Sequence, residues 1–197
     1  MKIRLFLCVL IITILSGCIS SLHPLYTQDT IAFRYEMLGS WVEKDGEGEW
    51  QFDKEKDGEA QNYILTYTEK AMNSGKVNKS TYTIYLVKLG NYYFLDFERL
   101  LSDEESNKYL DSLSPMITTH KFAKIEVAKD KLTLHLFDDD WLMKLFEQQK
   151  IRIKHEKLND DSILLTAPTA DLQKFVQKYA TEEKAFLEEL VLVKKAI

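Results

Sequence analysis

The histidines are the residues of this sequence best suited by type to metal binding or proton transfer. No two of them have the i, i+4 spacing that places two ligands on one face of a zinc-binding helix. The cysteines do not complete such a site, because Cys8 lies in an apolar run and leaves Cys18 alone. We interpret all four histidines as surface or strand residues: His23, His120, His135 and His155.

Sequence patterns for other catalytic sites are missing as well. The seven glycines lie at or before position 90 without a spaced cluster, which excludes a P-loop and a dinucleotide-binding fingerprint. A nucleophile elbow of the Gly-X-Ser-X-Gly type does not occur. The acidic run 138–140 lacks the spaced oxygens and the turn glycine of a calcium loop, so we interpret it as a helix cap. We therefore expect neither enzyme activity nor a metal site.

The N-terminal residues have the pattern of an export leader. Lys2 and Arg4 form a positive start, residues 5–15 are uncharged and mainly apolar, and small residues precede Cys18. As a helix, the run 5–15 would cover roughly 17 Å, which is too short for a hydrocarbon core of about 30 Å. We therefore expect cleavage rather than a permanent membrane span.

The tetrad Leu15-Ser16-Gly17-Cys18 resembles the lipobox of bacterial lipoproteins. The resemblance implies a signal peptide over residues 1–17, a diacylglyceryl thioether on Cys18 and an acyl chain on its freed amine. These covalent lipids, palmitate-like chains among them, are the only cofactor we expect, and two or three such chains hold a protein durably at a membrane. The alternative is an ordinary secretory leader followed by a chance cysteine.

Charge and the residue after Cys18 bear on location and partners. The formal charge of −5 argues against a nucleic-acid partner and against docking on anionic headgroups, so attachment should come from the lipid. In the enterobacterial sorting pattern that this N-terminus resembles, an aspartate after the cysteine retains lipoproteins at the inner membrane. Ile19 stands there instead, which favours the outer membrane of a bacterial cell envelope.

The remainder of the chain divides into a short lead-in and one domain. Residues 18–36 mix polar residues with Pro24 and show no sustained period. We interpret them as the lipidated N-terminus and a tether, laid along the domain or partly free. Residues 37–197 are expected to form a single β-rich globular domain, because they alternate apolar and polar residues in brief segments separated by turn residues.

Ten strands are predicted from this alternation, and short turns such as Leu89-Gly90-Asn91 make neighbouring strands antiparallel. They are Leu38–Glu43, Glu49–Lys54, Tyr63–Thr68, Thr81–Lys88, Tyr92–Glu98, Phe122–Ala128, Lys131–Phe137, Ile151–Glu156, Ser162–Thr166 and Glu189–Lys194.

Apolar residues with a helical period predict two or three amphipathic helices. The first covers Asp140–Gln149, with the acidic run before it as its cap. The second covers Ala170–Ala180, with Thr169 as its N-cap and Pro168 just before it. A shorter third segment, Ser102–Leu113, has a weaker helical pattern.

Many short antiparallel strands with few helices predict a β-rich α+β fold, either an up-and-down barrel or a strongly bent sheet. Gly39-Ser40-Trp41, at the first strand, resembles the Gly-X-Trp motif of the lipocalins and other calycins. That resemblance implies a lipocalin-like barrel whose tryptophan closes one end beneath a basic residue from the last strand. Lys194 or Lys195 would supply that residue through a cation–π contact. The helices within the strand series depart from that family.

Aromatic residues on the predicted strands are the remaining indication of a binding site. Trp41, Tyr63, Tyr82 and Tyr93 belong to strands that should share a face. Such residues usually fill a core. If the face lines a cavity instead, the same four residues would bind a small apolar ligand.

A broader resemblance covers most of the chain. Several segments together resemble a group of bacterial lipoproteins of unknown function. They are Cys18 and the residues 22–26, 38–41, 164–169 and 172–175. We therefore predict a membrane-anchored envelope lipoprotein with a non-catalytic binding or structural role, with another envelope protein as a possible partner. The alternative is a lipocalin-like carrier or sensor of a small hydrophobic ligand.

Overall fold

The computed structural model describes residues 19–55, 61–70, 77–101, 117–159 and 162–195, which contain twelve β-strands and two α-helices. The strands are β1 (Ser20–Ser21), β2 (Ile31–Ala32), β3 (Gly39–Glu43), β4 (Glu49–Lys54), β5 (Tyr63–Lys70), β6 (Val77–Leu89), β7 (Tyr92–Leu100), β8 (His120–Val127), β9 (Lys131–Leu136), β10 (His155–Asn159), β11 (Ser162–Leu165) and β12 (Leu190–Lys194). The helices are α1 (Asp139–Glu147) and α2 (Thr169–Tyr179), and 3-10 helices cover Tyr35–Met37 and Glu183–Ala185.

Eight strands close into an antiparallel barrel. From β3 to β9 each strand pairs with the next one along the chain, and β12 closes the ring between β9 and β3. The closing register places Lys194 of β12 opposite Trp41 of β3. The prediction of a mainly β fold is confirmed, and of the two architectures that the sequence allowed, the structure is the closed barrel.

Alternation along the strands decides which side chains point into the barrel. In β4, for example, Trp50 and Phe52 are buried, whereas Asp53 is exposed. The tight turn between β6 and β7 contains Gly90 with a φ of +60°, a left-handed conformation that glycine adopts without strain.

The four strands outside the ring enlarge the sheet where barrel strands leave an edge free. β2 pairs with the second half of β6, beyond the part that pairs with β5. On one side β1 forms an antiparallel pair with the start of β8, and on the other side it forms a parallel pair with β11. β10 then pairs with β11. Chain segments from both ends of the sequence are thereby joined beside the barrel.

Two separate groups of buried residues stabilise the molecule. The inner core fills the barrel, and its buried members are Met37, Trp41, Trp50, Phe52, Tyr63, Leu65, Ile84, Leu86, Leu95, Phe97, Ala123, Ile125, Leu132, Leu134, Leu136 and Leu192. The outer core lies between the outer barrel face and the helices, and its buried members are Ile19, Leu25, Val87, Leu89, Phe94, Phe122, Phe137, Leu142, Ile163, Leu165, Ala167, Leu172, Phe175, Val176, Ala180 and Ala185.

The helix ends differ in how they are capped. Asp138 caps α1, because its carboxylate accepts a hydrogen bond from the backbone N–H of Trp141 at 3.2 Å, as the acidic run predicts. The prediction of Thr169 as N-cap of the second helix is wrong. Helix α2 begins at Thr169 itself, and the Thr169 hydroxyl donates to the carbonyl of Pro24 at 2.8 Å.

Most predicted elements occur in the structure with small shifts at their ends. The largest shift concerns the predicted strand Ile151–Glu156, because the observed β10 is His155–Asn159 and residues 151–154 run alongside α2 without strand pairing. The sequence did not predict β1 or β2, which are two residues long each. The predicted helix Ser102–Leu113 and the lipidation residue Cys18 lie outside the described residues.

None of the helices within the described ranges is long and apolar enough to cross a membrane.

Candidate functional site

Trp41 is buried in the inner core of the barrel, and the cation–π contact expected above it is confirmed for Lys194. The Trp41 ring is fully buried, and its indole N–H donates to the carbonyl of Met37 at 2.8 Å. The Lys194 ammonium lies 5.0 Å from the ring centroid and also donates to the Glu36 carbonyl. Gly39, at the start of the same strand, has a φ of +111°, which favours glycine there.

Tyr63 is fixed by the chain that enters the barrel. Its hydroxyl accepts from the backbone N–H of Arg34 at 2.6 Å and donates to the Arg34 carbonyl at 3.1 Å. The Phe33 ring stacks on it with 4.6 Å between centroids. Burial raises the pKa of Tyr63 to about 12, so its hydroxyl stays protonated at neutral pH. This tyrosine acts as a hydrogen-bonded part of the core.

Tyr82 and Tyr93 are half-buried residues that pack against the inner core. Tyr82 makes an edge-to-face contact with Phe97 at 6.4 Å between centroids. The Arg34 guanidinium lies 5.8 Å from the centroid of Tyr93. The structure therefore brings Trp41, Tyr63, Tyr82 and Tyr93 to one core, as shared strand faces require, and the large side chains Trp41, Phe52 and Tyr63 within it are fully buried.

A buried carboxylate and a histidine form a second cluster, on the outside of the barrel. Asp96 of β7 is fully buried, and its Oδ1 lies 2.8 Å from Nδ1 of His120 on β8. Its other oxygen accepts the backbone N–H of Leu25 at 2.6 Å. The ring of Tyr26 stacks on Tyr85 at 3.8 Å and lies edge-on to the histidine at 6.4 Å.

Both groups of the Asp96–His120 pair have a pKa above their ordinary value. Burial raises the pKa of the Asp96 carboxyl, against the opposing effect of its hydrogen bonds. Burial lowers the pKa of His120, but the hydrogen bond and the charge of Asp96 outweigh it, so that the His120 pKa lies above its ordinary value. Tyr26 also has a raised pKa, first because it is partly buried and then because Tyr85 and Asp96 lie nearby.

The interpretation of His120 as a surface or strand residue missed its partner. Asp96 stands in the run Tyr92–Leu100, where the alternation alone places it on the outer barrel face. An outer face normally meets water, so the pattern gave no reason to expect a buried ion pair. Two signals were present: an aspartate is disfavoured in strands, and His120 and Asp96 lie on adjacent strands.

The other histidines lie apart from this pair. His135 is buried on β9, and its Nε2 lies 3.2 Å from the exposed carboxylate of Glu126. His155 packs against the Phe146 ring at 3.7 Å between centroids. His23 is exposed and donates its backbone N–H to the Ser21 hydroxyl. Within the described part of the chain, no group of three or more histidine, cysteine or acidic side chains is placed to hold a metal ion.

Comparisons with known proteins give no relative for this chain. No protein-family model matches it, and neither a curated protein nor a solved structure shows significant similarity to it.

Proposed function

We propose that this chain is a lipid-anchored protein of a bacterial cell envelope with a non-catalytic binding or structural role. The observation that carries the proposal is the position of residues 19–26, called here the N-terminal segment. They follow the expected lipid-bearing Cys18 directly, and they are built into the body of the protein. Such an arrangement suits a protein that must hold its barrel close to a membrane in a fixed orientation.

The contacts of the N-terminal segment support this role. Ile19 and Leu25 are buried in the outer core, and Ser20 and Ser21 form the strand between β8 and β11. Gln173 of α2 donates to the Leu25 carbonyl at 2.8 Å. A force applied to a lipid on Cys18 would therefore act on the sheet and on α2 rather than on a loose linker.

The hydrogen bonds of Asp96 and His120 support a structural rather than a catalytic role for this pair. The two oxygens of Asp96 are used by the His120 ring and by the Leu25 N–H. A general base needs a free acceptor within reach of a substrate proton. The pair instead holds the N-terminal segment in place. The Asp96 carboxylate accepts the Leu25 N–H and is at the same time hydrogen-bonded to His120.

The lipocalin-like carrier is the alternative function. The closed barrel and the Trp41–Lys194 contact are consistent with a lipocalin-like arrangement. A carrier needs a cavity for its ligand. The fully buried side chains of Trp41, Phe52 and Tyr63 occupy the barrel interior, and this favours the non-carrier role.

The anchor is tested by mass analysis of the N-terminal peptide of the protein purified from cells. We expect diacylglyceryl and N-acyl groups on Cys18, and we expect Cys18→Ser to block acyl labelling and leave an uncleaved precursor. The matched control is Cys8→Ser, which changes a cysteine within the expected leader and should leave processing intact. A mature Cys18 without fatty chains would refute the proposal.

The carrier alternative is tested by solvent extraction of the purified protein, followed by mass analysis of the extract. A stoichiometric apolar molecule, together with quenching of Trp41 and Trp50 fluorescence when that molecule is added back, would replace the structural role by a carrier role. We expect neither, because both tryptophans are already packed in the inner core.

A further inference from the structure

A basic groove lies on the outer surface, between the segment 151–154 and helix α2. Its volume is ≈ 380 Å³, and it is open to solvent along one side. Four of its lining residues are cationic, and one is acidic: Arg152, Lys154, Lys174, Lys178 and Asp171. This local excess of positive charge stands in a chain whose formal charge is −5.

Among the residues that the structure describes, few contacts neutralise these cations. Lys174 pairs with Asp171 at 3.1 Å, and this is an exposed contact between neighbouring helix residues. Lys178 lies over the ring of Tyr179, 4.8 Å from its centroid. Within the described ranges, the side chains of Arg152 and Lys154 form no ion pair. The groove therefore attracts an anion.

The floor of the groove is apolar. Ile151, Ile153, Phe175 and Tyr179 line it, and Phe175 belongs to the outer core. A free inorganic ion gains nothing from such a floor. An amphiphile with an anionic phosphate and an adjoining hydrocarbon part matches both features, because the cations bind its phosphate and the floor covers its apolar part.

The groove also lies close to the expected anchor. The backbone N–H of Thr166, just after β11, donates to the Lys154 carbonyl at 2.9 Å, and β11 pairs with β1. Two residues, 19 and 20, lie between Cys18 and Ser21, and two strand spacings separate Ser21 from the Lys154 end of the groove. These steps together span roughly 20 Å at most, so a lipid attached at position 18 would begin within reach of this end of the groove.

We propose that the basic groove binds the phosphate headgroup of an anionic lipid in the membrane that holds Cys18. This inference rests on the proposed lipid anchor and adds a second contact to it, which fixes the orientation of the barrel on the bilayer. From the formal charge of −5 we expected no docking on anionic headgroups, but that expectation did not include a local group of four cations. At physiological salt the field of distant carboxylates is screened within about 8 Å, so the nearest cations decide the contact.

The experiment measures co-sedimentation with vesicles of a mature chain from residue 18 that carries Cys18→Ser and therefore lacks the lipid. We expect binding to vesicles of phosphatidylcholine mixed with phosphatidylglycerol and little binding to phosphatidylcholine alone. The pairs R152Q/K154Q and K174Q/K178Q should each weaken the binding roughly tenfold or more. Equal binding to both kinds of vesicle would overturn the proposal.

Two further variants test the location of the charge. The pair K44Q/K129Q removes the same charge from exposed positions in barrel turns, and it should bind as the parent does. Asp171→Asn removes the carboxylate of the groove and should tighten binding a few-fold to the vesicles that contain phosphatidylglycerol, whereas misfolding would raise binding to both kinds of vesicle. Equal losses in K44Q/K129Q and K174Q/K178Q, or no gain from Asp171→Asn, would refute a site in the groove.

Soluble glycerol phosphate distinguishes a membrane lipid from a free phosphate compound. At the same phosphate concentration it should leave the vesicle-bound protein in place, and full displacement would overturn the membrane source. Failure of the anchor is distinguishable from failure of the groove. An unacylated Cys18 in cell-derived protein refutes the proposed function, whereas vesicle binding by the Cys18→Ser chain depends only on the groove.

Discussion

The inner and outer cores stabilise one molecule in different ways. The inner core is built from neighbouring strands of an antiparallel ring, and hairpin pairings bring most of its residues together. The outer core joins the two ends of the described chain, since Gln173 bonds to Leu25 and Ser21 to Leu165 across more than 140 residues. It also contains a buried charged pair. Apolar packing therefore fills the inside of the ring, whereas the contact between the barrel and the N-terminal segment includes a buried, titratable pair that is hydrogen-bonded to Leu25.

Removal of Trp41 should have the largest effect, because it takes a large, fully buried side chain out of the inner core. We expect Trp41→Ala to lower the free energy of unfolding by about 3 to 5 kcal/mol, measured as a shift in the urea midpoint. Trp141→Ala is the matched change in the outer core and should cost less, because Trp141 is only half-buried. Equal shifts would contradict the larger cost that we expect for a fully buried ring than for a half-buried one.

Removal of His120 alone should leave the buried carboxylate of Asp96 without its partner. We expect His120→Leu to cost about 3 kcal/mol or more in the free energy of unfolding. Asp96→Asn combined with His120→Leu should recover much of this loss, because an amide is neutral and still accepts the Leu25 N–H. His135→Leu is the control, since its partner Glu126 is exposed. A double variant as unstable as His120→Leu would show that charge burial is not the cause.

Stability should depend on pH through the same pair. The pKa of His120 is raised in the folded state, so the stability that this shift contributes is full below pH 6.5, the ordinary value, and is lost as pH rises through the folded pKa. The raised pKa of Asp96 acts in the same direction. Unfolding by urea at a series of pH values should show wild-type stability falling above about pH 6.5, by roughly 1.4 kcal/mol per unit of pKa difference.

The variant Asp96→Asn with His120→Leu should show a flatter profile over that pH range. An identical slope in the wild type and in the double variant would assign the dependence to other groups, Glu98 first among them because its charge also raises the His120 pKa.

Loss of the cation over Trp41 should have the smallest effect. Lys194→Gln is expected to cost about 0.5 to 1 kcal/mol in urea unfolding and to change the Trp41 fluorescence. Lys195→Gln removes the neighbouring cation, which pairs instead with exposed Glu49 at 3.0 Å, and should leave that fluorescence unchanged. An equal spectral change in both variants would show that Lys194 has no specific contact with the ring.

The barrel strands were largely predictable, because each repeats apolar and polar residues with a period of two and is bounded by turn residues. The strand Glu49–Lys54 has the same bounds in the prediction and in the structure, and the observed β7 differs from its prediction only at its C-terminal end. The short strands β1 and β2 were not predictable, since two residues carry no period. Their positions depend on the edges that β6 and β8 leave open.

The candidate site was predictable only in part, for a related reason. Trp41 and Lys194 could be paired from sequence, because the first and last strands of a ring must meet. Asp96 and His120 could not, because an outward position becomes buried only when the N-terminal segment covers it. The basic groove has the same origin, since no local pattern brings Arg152 and Lys154 beside Lys174.

The sequence by itself determined the alternation of the strands, the amphipathic helices, the acidic cap of α1 and the position of the expected lipid-bearing cysteine. Each of these depends on residues within one turn or one strand. The tertiary structure alone decided that the ring closes, that the outer face of β7 and β8 is covered, and that the segment after Cys18 is held by Asp96. Those contacts join residues far apart in the chain, and burial and charge take effect there only once the segments meet.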